Sequence, residues 1–174
     1  MKRATADNAW SALAAMYAQP GMKEALLALQ EDAGVSVSAL LTLIWSSAVG
    51  YGAATDKTVR EIVADTEALE AEVLRPYRRA RNGLRAWAAK EGEAANLRRQ
   101  LLEQELVLER YVLRRVLERL AAASAREPAG DAAVDVERVV ARYLEQRGVP
   151  WGRVPEGMLE RLREAAVGSG QSVQ

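Results

Sequence analysis

The sequence predicts an all-α protein, an irregular bundle of about five or six helices followed by a C-terminal helical pair. Three observations predict it. Ala, Leu, Arg and Glu, all strong helix formers, dominate the 174 residues. Apolar residues recur at three- and four-residue spacing, and no strand-like alternation persists. Gly and Pro punctuate the chain between those stretches. The expected division is a helical bundle over 1–125, a linker over 126–134, a helical hairpin over 135–167 and a disordered tail over 168–174.

Asp7 or Asn8 is expected to cap a first helix whose inward face carries Trp10, Leu13 and Tyr17. Pro20-Gly21 ends it, because proline cannot continue the backbone ladder. A second helix follows to about Asp32, with Met22, Ala25, Leu26 and Leu29 inward and Gly34 as its C-terminal cap. Ser36 or Ser38 opens a third helix, which is apolar around much of its circumference and so the most buried element. Thr55 or Thr58 starts a short helix to about Asp65.

A longer helix is expected over about 66–90, with Leu69, Val73, Tyr77, Leu84 and Trp87 on its apolar face. Pro76 either kinks it or occupies the first turn of a fresh helix. The longest helix is expected over about 93–125, with Leu102, Leu106, Leu113, Leu117 and Leu120 on the packing side. Beyond the linker, Val136, Val139, Val140, Tyr143 and Leu144 form one amphipathic helix, and Met158, Leu159, Leu162 and Ala166 form another.

Composition narrows the chemistry. The chain contains neither Cys nor His, which removes disulfides, thiolate catalysis, a Ser-His-Asp triad and imidazole ligation of metals. Glu103, Glu105 and Glu109 read as a solvated helix flank, since di-iron bundles need Glu-x-x-His motifs. No phosphate-loop or dinucleotide fingerprint occurs. No metal and no cofactor is therefore expected, and the chain leans away from enzymes. Basic and acidic residues balance at 24 each, so no global field draws nucleic acid. The uncharged stretch Ala33–Thr55 is long enough to span a bilayer. Its scattered Ser, Thr and Gly residues and the absence of flanking Lys/Arg clusters favour a buried central helix instead. With no secretion signal, a cytoplasmic protein is expected.

The combination of Trp10, Tyr17-Ala18, Pro20-Gly21, Leu29-Gln30, Gly34-Val35, Leu40-Leu41, Trp45, Arg75-Pro76 and Arg81 resembles a family of small helical proteobacterial proteins. These are conserved hypothetical proteins with a domain of unknown function, and the resemblance covers roughly residues 10–85. It implies a bacterial, cytosolic helical protein and transfers no catalytic residue.

The sharpest functional feature is an arginine cluster, Arg75, Arg78, Arg79, Arg81 and Arg85. Guanidinium groups grip phosphate and carboxylate bidentately. On a helix, Arg78, Arg81 and Arg85 share a face, with Arg75 and Arg79 beside it. The plainer alternative is a solvated face paired with Glu67, Glu70, Glu72 or acids on a neighbouring helix. A second candidate is a pocket lined by Trp10, Tyr17, Trp45, Tyr77 and Trp87, against the alternative that these aromatics fill the core. The function expected is a helical interaction, adaptor or regulatory protein using the arginine face for an acidic partner or phosphate-bearing ligand. The runner-up is a binder of a hydrophobic or isoprenoid-like ligand between helices at the membrane surface. A protein partner is expected, nucleic acid is less favoured, and homodimerisation is open.

Overall fold

The computed structural model describes residues 5–51, 53–123 and 132–171. Among them the architecture is all-α, with no extended strand. Helices α1 (Ala6–Tyr17), α2 (Met22–Ala33), α3 (Val37–Ser46) and α4 (Asp56–Leu69) are followed by α5 (Arg75–Gly83) and α6 (Arg85–Ala88). The long α7 (Gly92–Ala122), then α8 (Ala132–Gln146) and α9 (Met158–Gln171), complete the chain.

Local chemistry sets the boundaries. Thr5, rather than Asp7 or Asn8, caps α1, because its backbone is extended and its hydroxyl accepts the Asn8 N–H at 3.2 Å. Asp7 sits in the first turn, where its charge suits the positive end of the helix dipole. Ser36 and Thr55 cap α3 and α4 in the same way. Gly34 ends α2 in the left-handed conformation, φ 63°, that an L side chain resists.

α3 is the central element. Every residue from Val37 to Ser46 is buried, and α1, α7 and α8 pack around it. The missing charge over the middle of that stretch, Val35 to Ser47, is thus explained by burial in protein. Among the described residues no helix is long and apolar enough to cross a membrane. Val139, Val140, Tyr143 and Leu144 of α8, with Met158 and Leu162 of α9, belong to the same hydrophobic core as α1 to α4. Arg142 fastens α8 to the start of α4 through Asp56 at 2.8 Å and the Ala54 carbonyl at 2.9 Å.

Three expectations need correction. The first concerns 66–90, which is not one helix opened at Thr66. α4 continues to Leu69 and passes through a π-helical turn, Glu70–Leu74, into α5. Pro76 lies in the first turn of α5 and donates no hydrogen bond, and the π turn accommodates it by letting Arg75 N–H bond to the Glu70 carbonyl. The extra residue in that turn shifts the inward face. Leu74 is fully buried, Tyr77 and Leu84 are half-buried, and Trp87 is 59% exposed. The second concerns α7, where Leu113 and Leu120 are buried but Leu102 and Leu106 are exposed. They share that side of the helix, but the core elements that bury Leu113 and Leu120 do not cover this half of α7. The third is the C-terminus, where α9 extends through Gln171, so residues 168–171 are helical. The packed residues Met158, Leu162 and Ala166 nucleate a helix that propagates through weaker formers. Most of the expected linker over 126–134, and residues 172–174, lie outside the described residues.

Candidate functional site

The π turn and α5 lie against α7, and this contact is built from charge. Arg78 is buried, 8% exposed, on a surface where a bundle ordinarily places an apolar side chain. Its three nitrogens each reach a different carboxylate. Nη1 donates to Glu70 at 2.7 Å, Nε donates to Glu105 at 3.2 Å, and Nη2 donates to Glu109. Arg81 adds a second hold on Glu105, with Nε at 2.6 Å. Ser38 of α3 donates its hydroxyl to the other oxygen of Glu109. One guanidinium therefore joins α5, the π turn and α7, and Glu109 ties α3 to them through Ser38.

The cluster of Arg78, Arg81, Glu70, Glu105 and Glu109 carries one more formal negative charge than positive. Burial lowers the pKa of the Arg78 guanidinium, but Glu109 and Glu70 outweigh it and leave the group held above its ordinary value. Burial pushes the Glu109 carboxyl upward; Arg78 and Ser38 pull it back, Glu70 adds to the rise, and the net direction is up. Glu105 and Glu109 are thus not the solvated flank that their spacing suggested. Glu103 is, paired with Arg99 on the exposed side.

On its other side α5 faces α2 across a cleft of about 650 Å³. All five arginines of the cluster line it, and Arg147 at the end of α8 joins them. Three of these six are neutralised. Arg78 and Arg81 are held by the carboxylates of α7 and the π turn. Arg147 pairs with Glu67 at 2.5 Å and donates to the Gly34 carbonyl at 3.0 Å. The other three, Arg75, Arg79 and Arg85, are exposed and have no carboxylate partner among the described residues. The opposite wall supplies Leu27, Gln30 and Glu31 from α2.

Gly34 sits where two guanidiniums converge. A Cβ on it would lie 3.2 Å from one Nη2, that of Arg75, and 3.3 Å from the Nη2 of Arg147. Arg147 also has an Nε–H with no hydrogen-bond partner, and Glu70 a buried oxygen Oε1 with none. Both are cleft-lining residues.

The aromatic candidates do not gather. Trp45 is fully buried in the core. Trp10 packs at the core's edge, with the Arg110 guanidinium stacked 4.8 Å from its ring centre. Tyr17 is half-buried, and burial, followed by the charges of Glu109 and Glu105, pushes its hydroxyl upward. Tyr77 is half-buried and Trp87 exposed. None of the five lines the arginine cleft.

Sequence reasoning missed Arg147, Gln30, Glu31 and Asn82 as cleft residues; its plainer alternative paired the arginines with Glu70 and with acids of a neighbouring helix, as Arg78 is, but as a solvated face and not as a buried cage. One signal was legible. Glu105 and Glu109 continue the stripe of buried Val112, Val116 and Leu120, where a charge must find a partner. Arg147 left no local signal, since its position depends on how α8 docks more than sixty residues away in sequence from the arginine cluster.

No curated protein and no solved structure matches the chain. A family model does, over residues 8–116, which includes every member of the Arg78 cage and all cleft residues except Arg147. Spanning more than half of the sequence, that match shows that the chain belongs to the family described as protein of unknown function DUF2390.

Proposed function

We propose that this is a non-enzymatic helical binding protein whose arginine cleft takes a phosphate-bearing ligand, in an adaptor or regulatory role. One observation carries the reading. Arg75, Arg79 and Arg85 line a single concave space without carboxylate partners among the described residues, while Arg78, Arg81 and Arg147 beside them are neutralised. Three uncompensated guanidiniums repel one another, and an anion between them relieves that repulsion while accepting bidentate hydrogen bonds. A concave space suits a compact anion better than the flat face of an acidic protein.

Isothermal titration calorimetry with pyrophosphate tests the reading. Binding is expected, weakening as salt rises. Arg79→Gln combined with Arg85→Gln is expected to weaken it by about tenfold or more, equivalent to losing roughly 1.4 kcal/mol of charge-assisted bonding. Both side chains are exposed, so the circular dichroism melt should stay put. Equal affinity in the double variant overturns the reading. Binding of a poly-glutamate peptide in preference to pyrophosphate transfers the site to an acidic protein partner.

A further inference from the structure

The flank of α5 that turns away from the arginine cleft is apolar and only partly covered. The extra residue of the π turn sets Leu69, Val73, Tyr77 and Leu84 in one line, and Trp87 stands one turn beyond, 59% exposed. The antiparallel α7 beside it carries a matching seam. Leu97, Leu101, Gln104, Leu108 and Tyr111 alternate at four- and three-residue spacing, the period of a helix face that packs on another helix. All five are half-buried or exposed. At the base of the flank, Leu69, Val73 and Tyr111 line a cavity of about 260 Å³. The two stripes leave apolar surface on the order of 500 Å² in water, at the upper end of what a monomer exposes. That is close to the apolar share of one partner's half of a standard interface.

The order of residues along the seam points to what covers it. Counting from Gln104, apolar residues stand seven and three positions before it and four and seven after. Read backwards, the pattern is nearly the same. An antiparallel copy of α7 centred on Gln104 therefore sets Leu97 on Tyr111 and Leu101 on Leu108. It also sets Glu93 opposite Arg115. Glu93 is exposed with no ion-pair partner among the described residues, and Arg115 is held by Asp65 and Glu118 only at 3.4 Å. Gln104 meets its own copy, where one amide can donate and the other accept. A polar residue within an apolar seam fixes the register of such a pairing.

The stripe on α5 shares that centre. Arg78 and Arg81 both reach Glu105, so Ala80 stands level with Gln104. About Ala80, which is exposed and small enough for close helix approach, Tyr77 falls on Leu84 of the copy and Val73 on its Trp87. The same rotation carries the Trp87 indole over the cavity that Val73 and Tyr111 line. A membrane or an unrelated helix gives a sequence no reason to be symmetric about one point, whereas a two-fold contact uses the same patch on both partners.

We infer that the chain forms a two-fold homodimer in which two hairpins of α5–α6 and α7 stack into a four-helix bundle centred on Gln104 and Ala80. The arginine cleft lies on the other flank of α5 and stays open in both copies.

Sedimentation equilibrium of the full chain at micromolar concentration tests this, with twice the chain mass of 19.0 kDa expected. Trp87→Ser removes an anchor from both copies at once, and should weaken the dimer by about a hundredfold or more. Helical circular dichroism should be unchanged, since that side chain is exposed. The chain has no cysteine, so Gln104→Cys introduces a single thiol on the axis. Mild oxidation should link its two copies on a non-reducing gel, whereas Arg99→Cys, exposed on another face of α7, should stay unlinked. A monomer at micromolar concentration overturns the inference. So does a dimer indifferent to Trp87→Ser, or one that links through position 99 and not 104. A monomer that binds phosphatidylglycerol vesicles and loses them with Trp87→Ser also overturns it, and gives the flank to a membrane.

Discussion

Replacing Arg78 with Gln is the most informative perturbation of this fold. Among the described residues, the guanidinium is the only cation that touches all three carboxylates, Glu70, Glu105 and Glu109. Arg81 reaches Glu105 alone among them. Removing the charge leaves the buried Glu70 and the part-buried Glu109 without a cation, and Glu105 with Arg81 alone. Breaking a buried ion pair from one side costs about 3–5 kcal/mol, far more than the net value of the pair, because the remaining charges stay desolvated. For a chain of this length, each kcal/mol lowers the melting temperature by about 2–4 °C, so a drop of roughly 6–20 °C is expected. Thermal denaturation followed by circular dichroism at pH 7 measures it. The deficit should shrink near pH 4, where the carboxylates take up protons. Arg78→Lys should recover little, since one ammonium cannot reproduce a planar three-way fork. Arg81→Gln, at a partly exposed site, should cost only about 1 kcal/mol. A loss below about 1 kcal/mol for Arg78→Gln, independent of pH, would refute the reasoning.

Glu109 gives a pH prediction. The folded state holds its proton more tightly than the unfolded chain, so its contribution is complete below the ordinary value of 4.5 and is lost as pH rises through the elevated folded value. Glu109→Gln, which imitates the protonated form, should therefore gain stability relative to the parent as pH rises from 4.5 to 8, and a flat difference across denaturation curves would contradict this. Tyr143→Phe removes the hydroxyl that accepts the Ser36 N–H at 3.2 Å, leaving a buried donor unmet. It should lower the unfolding free energy by about 1–3 kcal/mol in urea titrations, and a neutral result would mean the bond contributes nothing. Gly34→Ala forces an L residue to φ 63° and crowds two guanidinium tips. A cost of about 1–2 kcal/mol is expected from the backbone alone, read as a fall in melting temperature.

What was legible in the sequence follows from short-range physics. Gly34 and the pairs Ser36 or Ser38 and Thr55 or Thr58 mark helix ends because capping is settled within four residues, and the structure selects Ser36 and Thr55. The burial of α3 was readable because no face of it carries charge. The arginine cluster was visible as a cluster, and the density of guanidiniums near Pro76 does define one wall of the cleft.

The division of labour among those arginines was not legible. Helical spacing groups Arg78, Arg81 and Arg85 on one face, and all three line the cleft, yet Arg78 and Arg81 are held by carboxylates of α7 while Arg85, like Arg75 and Arg79, has no carboxylate partner among the described residues. The π turn before Pro76 and the break at Leu84 shift the register, and which side of α5 faces carboxylates depends on where α7 packs. The sequence alone determined helical class, caps, the central buried helix and the location of the cations, because each depends on neighbours along the chain. Only the tertiary structure decided which guanidiniums are neutralised and which stay free, because that depends on carboxylates brought from 24 to 31 residues away on α7 and on Arg147 from α8.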